Sequence, residues 1–378
     1  MSVEIINFEK NYEKETLKLF YRSVFYNRKE FEYARLPTWS HRYLLEDVSI
    51  QRLATINGKI VGSLGLIVYT GYINDKKQNI GFFVDNCILP EYTSKYDSIM
   101  SQLFQNVEHV AKTMKVNYIL GWDYTRKVDS HNDFFCKMGY SHLDGINWFG
   151  GGTKPVLAFF EKGENISFIW RLALGLLNLK FQFRERRTRS LTKETIRPLK
   201  NTDISVAADL INRQNKLLAF SPKYSKDTLK KTMEKYHAKG WIVETKDTAI
   251  GVLITFLAPW SGWMYGRPEY TSKFTNFLIN HPLEFAVDPE YAKQVAPHLL
   301  YTAMKSDINR RGYFMLVDVF DRRISWMTNA FFDIGADEIP YDFGTLLFKS
   351  FAEDSIELSH PVYVPTNLVI SPYTGKYL

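Results

Sequence analysis

The spacing of apolar and polar positions divides the chain into short alternating runs and longer runs of helical period. Val3 to Phe8 alternates as a strand, and Tyr12 to Tyr26 predicts an amphipathic helix offering Leu17, Leu19, Phe20 and Val24 to a core. Gln51 to Ile56 and Lys59 to Tyr69 predict two strands joined by Asn57-Gly58, a dipeptide suited to a two-residue hairpin turn because it tolerates positive φ twice. Ile80 to Leu89 then predicts a strand, Ser94 to Lys115 a helix and Asn117 to Trp122 a strand. Ser130 to Met138 predicts a short helix closed by Gly139, and Tyr140 to Phe149 a last strand. The same order returns in Thr195 to Pro198, Ile204 to Asn215, Gly240 to Thr245, Ala249 to Leu257, Pro282 to Val287, Tyr291 to Arg311, Tyr313 to Phe320, Ser325 to Asp333 and Tyr341 to Lys349. The shared plan is β-α-β-β-β-α-β-α-β, an α/β arrangement with a mixed sheet flanked by helices.

The recurrence is also literal. Leu89-Pro90-Glu91-Tyr92 leads to Phe134-Phe135-Cys136-Lys137-Met138-Gly139, and Asp288-Pro289-Glu290-Tyr291 leads to Phe331-Phe332-Asp333-Ile334-Gly335, with 44 residues from proline to phenylalanine in one copy and 42 in the other. Two homologous units follow. The division expected is a first unit over 1–155, a connector over 156–193, a second unit over 194–350 and an extended arm over 351–378, marked by Pro361, Pro365 and Pro372. A length of 378 residues and 45% hydrophobic content suffice for two cores. Only two cysteines, Cys87 and Cys136, argue against a disulfide framework, and the first residues lack a basic stretch followed by an apolar run, so a cytoplasmic location is expected.

Charge changes the picture in one place. Lys180, Arg184, Arg186, Arg187, Arg189 and Lys193 against Glu185 hold five of the chain's net +7, so the protein is not generally basic and DNA is not an expected partner. Just before and into this cluster, Ile166 to Phe183 is the most apolar segment. Its polar or small members Ser167, Arg171, Gly175, Asn178 and Gln182 fall 4, 4, 3 and 4 apart, a helical period with one narrow polar stripe. The 14 residues from Ile166 to Leu179 contain an arginine and fall short of the ~20 that a bilayer span needs. Two placements stay open. The helix is buried between the domains, or it lies in a membrane surface over 166–189, at the inner face, with Trp170, Leu174 and Leu177 inserted and Arg184 to Arg189 on anionic lipid.

At Ala286-Val287-Asp288-Pro289-Glu290-Tyr291, more loosely at Cys87-Ile88-Leu89-Pro90-Glu91-Tyr92, and at Phe134 to Tyr140 with a weaker copy at Phe331 to Ala336, the chain resembles the GNAT superfamily of acyl-CoA-dependent N-acyltransferases. The resemblance covers about 1–150 and 194–350 and implies two tandem GNAT-like domains. It implies that acetyl-CoA or another acyl-CoA binds at the end of the fourth strand, through Ile88, Leu89, Thr93, Ser94, Lys95, Tyr96, Asp97 and Ser98. The family's pyrophosphate loop uses glycines at a helix N-terminus, and its pattern falls here on Thr93, Tyr96 and Ser98, and on Ala292, Val295 and Pro297 in the second copy. Neither has the glycines. Lys95 and Ser94 leave the first loop usable, whereas Pro297 removes a donor from the second, so the first unit is the expected donor site.

The family's acid is a tyrosine that protonates the departing thiolate, where this chain has Phe135 and Phe332. The remaining candidates are Asp85 and Glu284 on the fourth strands as bases, Asp123 and Tyr124 just past the fifth strand as acceptor-binding and acid groups, and His131 as a proton shuttle. Cys87 reads as a small core residue. No metal motif is present in the sequence. Trp260, Trp263 and Tyr265, with Gly262 and Gly266, form an aromatic loop suited to an acceptor cleft. The leading expectation is an N-acyltransferase acting on a small-molecule, sugar or peptide amine. The alternatives are a non-catalytic GNAT-fold scaffold and a tRNA-dependent aminoacyl transferase of the peptidoglycan-peptide type, the latter weakened by the confinement of positive charge to one stretch.

Overall fold

The computed structural model describes residues 2–27, 31–33, 38–74, 76–123, 134–143, 146–152, 172, 176, 179, 183, 194–245, 248–262, 275–311, 315–338, 345–352, 360–364 and 367. The first half runs β1 (Glu4–Asn7), α1 (Glu13–Asn27), β2 (Phe31–Tyr33), α2 (His41–Leu44), β3 (Val48–Ile56), β4 (Lys59–Ile73), β5 (Lys76–Ile88), α3 (Tyr96–Thr113), β6 (Tyr118–Asp123), a helical turn over 134–137, β7 (Ser141–Leu143) and β8 (Ile146–Gly152). The second half runs β9 (Ile196–Pro198), α4 (Ile204–Asn215), β10 (Phe220–Ser221), α5 (Lys226–Lys235), β11 (Lys239–Thr245), β12 (Thr248–Gly262), β13 (Thr275–Val287), α6 (Ala292–Arg311), β14 (Met315–Asp321), α7 (Ser325–Ile334), β15 (Asp337–Glu338) and β16 (Thr345–Ser350). The Asn57-Gly58 turn has φ of 51° and 73°, so the hairpin forms with both residues left-handed, as its sequence predicts.

The strands make two sheets, ordered β1-β3-β4-β5-β6-β16-β7 with β10 on β4, and β15-β8-β14-β13-β12-β11-β9 with β2 on β12. Each half therefore lends strands to the other. β16 pairs with β6 from Thr345↔Asp123 to Ser350↔Tyr118 and with β7 on its other edge. Reciprocally, β8 pairs with β14 from Ile146↔Asp321 to Gly152↔Met315 and with β15. The short strands cross over as well, Phe220 to Ile73 and Trp260 to Tyr33. This corrects one expectation: Tyr140 to Phe149 is not a single closing strand but β7 and β8, which lie in different sheets. The reason is that β16 occupies the edge of β6 that a strand of the same half would otherwise take.

Three apolar clusters follow from this arrangement. On the outer face of the first sheet, Ile99, Leu103 and Phe104 of α3 join Phe134 and Phe135. On the outer face of the second, Val295 and Leu299 of α6 join Phe331 of α7. Between the sheets lies a shared core to which α1 contributes Leu19 and Phe20 and α4 contributes Ile204, Ala207 and Ile211. The outer helices sit close: a β-carbon at Gly62 would lie 3.2 Å from Ile99, and one at the equivalent Gly251 would lie 2.7 Å from Val295. α5 has no counterpart among the predicted elements, because its ten residues are mostly charged or polar and only Leu229 is buried. Its start is nonetheless written in Ser225, whose hydroxyl accepts from the Thr228 amide at 3.2 Å while the Thr228 hydroxyl accepts from the Ser225 amide at 2.8 Å.

A charged latch fixes the exchanged strand. Lys349 of β16 donates to both Glu108 oxygens of α3, at 2.9 and 2.8 Å, and to the Met138 carbonyl at 2.6 Å. The Tyr140 hydroxyl donates to Glu108 at 2.8 Å, and burial followed by that carboxylate's charge holds it well above the usual phenol range. Gly139, with φ of 82°, ends the helical turn and brings the chain beside the Lys349 side chain. A fragment of residues 1–193 lacks β16 and leaves β6 with an open inner edge. It is expected to be aggregated or unfolded by circular dichroism when expressed alone, and to be recovered in a complex with 194–378 on co-expression; a cooperative, monomeric unfolding transition of 1–193 by itself would contradict the exchange.

Candidate functional site

The two parallel strand pairs define two wedges. β5 and β6 share a ladder from Ile80↔Tyr118 to Phe83↔Gly121 and then leave it, although β5 runs on to Ile88 and β6 to Asp123. A bulge in β5 accompanies the parting: Ser63 of β4 pairs with Cys87 but Gly65 pairs with Val84, so Asp85 and Asn86 stand opposite one residue. Asp85 takes φ of 59°, a conformation that costs a non-glycine residue about 1 kcal/mol or more and that aspartate tolerates better than most. The Ser63 hydroxyl holds the Asp85 carbonyl at 2.8 Å, and the Ile88 amide donates to the Ser23 hydroxyl of α1 at 3.3 Å. Val84 and Trp122, on the separating strands, are both buried.

At the mouth of this wedge, Pro90–Lys95 forms a 3-10 turn and α3 follows with no side-chain cap on its first amides. The residues expected to bind a carrier are sorted by this geometry. Ile88, Leu89 and Tyr96 are buried, Tyr96 lying edge-on to Phe134 at 5.4 Å, so they shape the wall. Thr93, Ser94, Lys95, Asp97 and Ser98 are exposed. The Thr93 hydroxyl donates to the Pro90 carbonyl at 3.0 Å, which fixes the turn. Lys95 and the helix amides present positive charge there, opposed by Asp97 in the first turn of α3.

The candidate bases are buried and each is held by a tyrosine. Asp85, 4% exposed, accepts from the Tyr43 hydroxyl of α2 at 2.6 Å and has the Arg42 guanidinium at 3.9 Å. Glu284, 1% exposed, accepts from the Tyr224 hydroxyl at 2.7 Å, and burial with the charge of Glu284 drives that hydroxyl well above its ordinary pKa. The two tyrosines occupy equivalent parts of the halves, yet neither is marked by a sequence motif. Gly65 was the available signal, because a glycine inside a strand marks a close approach: a β-carbon there would run into the Tyr43 hydroxyl.

Of the other candidates, Asp123 pairs through its backbone with Thr345 at the end of β6, while its side chain, Tyr124 and His131 lie outside the described residues. Cys87 is 5% exposed in the core. Phe135, where the resemblance expects a tyrosine, is fully buried and stacked on Phe83 at 6.1 Å, a place for packing; Phe332 is 44% exposed. Trp263, Tyr265 and Gly266 of the aromatic loop lie outside the described residues, and Trp260 belongs to β12.

The second wedge is built alike and used differently. β13 and β14 pair in parallel at Asn280↔Leu316, and β13 continues to Val287. Here the C-terminal arm links the two strand ends: the Val362 amide donates to the Asp321 carboxylate of β14 at 3.0 Å, and the Tyr363 hydroxyl donates to the Leu283 carbonyl of β13 at 3.1 Å. Arg323 holds the same Asp321 at 2.6 Å, and Val362, Tyr363 and Val364 are all buried. At its mouth Pro297 stands inside α6, and Val295, 1% exposed, is pressed onto Gly251. The Asp288 carboxylate accepts from the Glu290 amide at 3.1 Å, placing an anion where phosphate would have to come.

No protein-family model and no curated protein sequence matches the chain. Among solved structures it is similar to Saccharomyces cerevisiae N-myristoyltransferase with bound myristoyl-CoA, with a TM-score of 0.61 and 12% identity over 96% of this chain and 84% of that one. It is also similar to a tandem GNAT protein from the clavulanic acid biosynthesis pathway, with a TM-score of 0.57 and 9% identity over 94% of this chain and 100% of that one. An Enterococcus faecalis protein described as a probable N-acyltransferase gives a TM-score of 0.50 and 10% identity over 93% of this chain and 73% of that one. These likenesses establish the fold, a two-unit GNAT architecture of mixed sheets flanked by helices. Replacing Gly65 by alanine sets a methyl against Tyr43 and is expected to cost about 1–3 kcal/mol in urea unfolding; an unchanged midpoint would show that Tyr43 does not fill that space.

Proposed function

We propose that the chain is an N-acyltransferase that takes an acyl group from acyl-CoA, or a related phosphopantetheine thioester, in the wedge of the first sheet and passes it to an amine. The observation that carries this reading is the end of the β5–β6 ladder at Phe83↔Gly121, directly above an α3 N-terminus whose amides have no side-chain cap. An extended arm bearing amides can add along a strand where its neighbour departs. Its phosphates then meet Lys95, Ser94 and the helix N-terminus, where amide donors and the helix dipole favour an anion. The second wedge is left out because the arm already holds Asp321 and Leu283 together. The yeast N-myristoyltransferase of similar fold is described with myristoyl-CoA bound, which supports this class of donor by analogy of fold.

In the reaction the amine nitrogen attacks the thioester carbonyl, a C–N bond forms, the C–S bond breaks, and CoA leaves as thiolate. The amine gives up one proton and the thiolate takes one. Asp85, reached directly or through the Tyr43 hydroxyl, is the group we assign to the amine's proton, because it lies at the bulge where the wedge opens. Phe135 cannot return a proton to sulfur, which leaves that step to Tyr124 or to water. The acceptor class is a peptide, sugar or small-molecule amine, and the location proposed is the cytoplasm.

Isothermal titration with acetyl-, decanoyl- and myristoyl-CoA is expected to show one site per chain, weakened about tenfold by Lys95→Glu as one phosphate-facing charge is reversed. No heat with any of the three at high concentration would remove the assignment. With an acceptor in hand, Asp85→Asn is expected to lower kcat about 100-fold or more while leaving donor affinity in place. Unchanged turnover would retire Asp85 as the base.

A further inference from the structure

We propose that the connector between the halves docks in plane on the surface of an anionic lipid bilayer. Leu172, Leu176, Leu179 and Phe183 are helical and exposed, at 59%, 62%, 50% and 69%. At 100° per residue these four positions fall within an arc of about 60°, so they form one stripe three turns long. Four large apolar side chains on one exposed line of a helix is a surface that a monomeric protein ordinarily covers. Trp170, Leu174 and Leu177, the positions expected from the sequence to insert, lie outside the described residues, so this stripe is a separate observation.

Charge decides among the occupants. In the sequence Lys180 falls in the same stretch, and Arg184, Arg186, Arg187, Arg189 and Lys193 follow, with Glu185 as the one acidic residue among them. A bilayer with anionic headgroups offers both halves of the match at one surface, an apolar layer for the leucines and phenylalanine and negative charge for the arginines. A second copy of this chain would bring the same basic run near its own symmetry mate, which opposes association. Nucleic acid would satisfy the arginines and leave the apolar stripe in water. The apolar run from Ile166 to Leu179 is 14 residues with Arg171 inside, short of the ~20 that a bilayer span needs, so an in-plane position is the one proposed. The proposal does not depend on the acyltransferase reading.

The test is vesicle flotation of the full chain with phosphatidylcholine alone and with phosphatidylglycerol added. Recovery in the floating fraction is expected with the anionic vesicles at low salt, to drop about tenfold or more without phosphatidylglycerol, and to fall as salt rises, since each basic residue near the surface contributes separately. The double variant Leu176→Glu with Leu179→Glu changes two exposed positions and is expected to keep its near-ultraviolet circular dichroism and melting temperature while losing flotation. Four outcomes overturn the proposal: no flotation at low salt, equal flotation with neutral vesicles, a folded double variant that floats as well as the parent, or a dimer by light scattering that the double variant dissolves without any vesicle binding.

Discussion

A strand placed between two others must satisfy its backbone groups on both edges, and β16 does so entirely with strands from the other half of the chain. Every larger feature depends on this exchange and its reciprocal at β8 and β14. Because β16 fills the edge of β6 that β5 leaves free, the first sheet is completed only after the second half has been threaded through its own β14. The sequence copies are thus interleaved in space at their closing strands. The Lys349 latch belongs to the same constraint, since its ammonium, taken from the second half, is the cation that makes a nearly buried Glu108 in α3 tolerable.

Symmetric exchange leaves room for asymmetric use. Both parallel pairs separate toward their C-terminal ends, and both carry a strand carboxylate pinned by a tyrosine, so the frame is common to the halves. What differs is who ends up in the gap. In the second wedge the chain supplies its own ligand, the segment around Val362 and Tyr363, and spends a buried carboxylate, Asp321, on the backbone amides of Val362 and Arg323 and on the Arg323 guanidinium. An internal segment tethered to the fold competes with any free ligand at high effective concentration, so a wedge filled in this way is removed from binding. The first wedge keeps an exposed lysine and serine at its mouth.

The local half of this architecture was legible. Asn57-Gly58 specified its turn because few dipeptides tolerate two positive φ values, and Ile204–Asn215 was bounded correctly because its apolar period is strong. Strand partners were not legible. Tyr140 to Phe149 reads as one alternating run, and nothing in ten residues records that its two ends pair in different sheets, since pairing depends on which edges are vacant elsewhere. At the site, Asp85 could be found as a carboxylate on the fourth strand, whereas Tyr43 could not, because the contact joins residues 42 apart through the gap left by Gly65. Phe135 shows the converse: a motif position whose chemistry is lost is explained by the packing of Phe83, Phe104 and Tyr140 around it, where a hydroxyl would need a partner.

The two pinned carboxylates are not equivalent, and the difference lies in the backbone. Glu284 follows a bulge centred on Leu283 and keeps an extended conformation with its tyrosine. Asp85 is itself bulged, with positive φ, and is held there from three sides by Tyr43, Ser63 and the passage that Gly65 opens. A strained residue persists only where its surroundings over-determine it, and strain of this kind gathers where a side chain must be aimed. If Asp85 served packing alone, asparagine or glycine would adopt the same φ without the cost of burying a carboxylate beside an arginine. The combination of left-handed backbone, buried carboxylate and a parting ladder occurs at Asp85 and not at Glu284, and it is the physical ground on which the proposed chemistry is assigned to the first sheet.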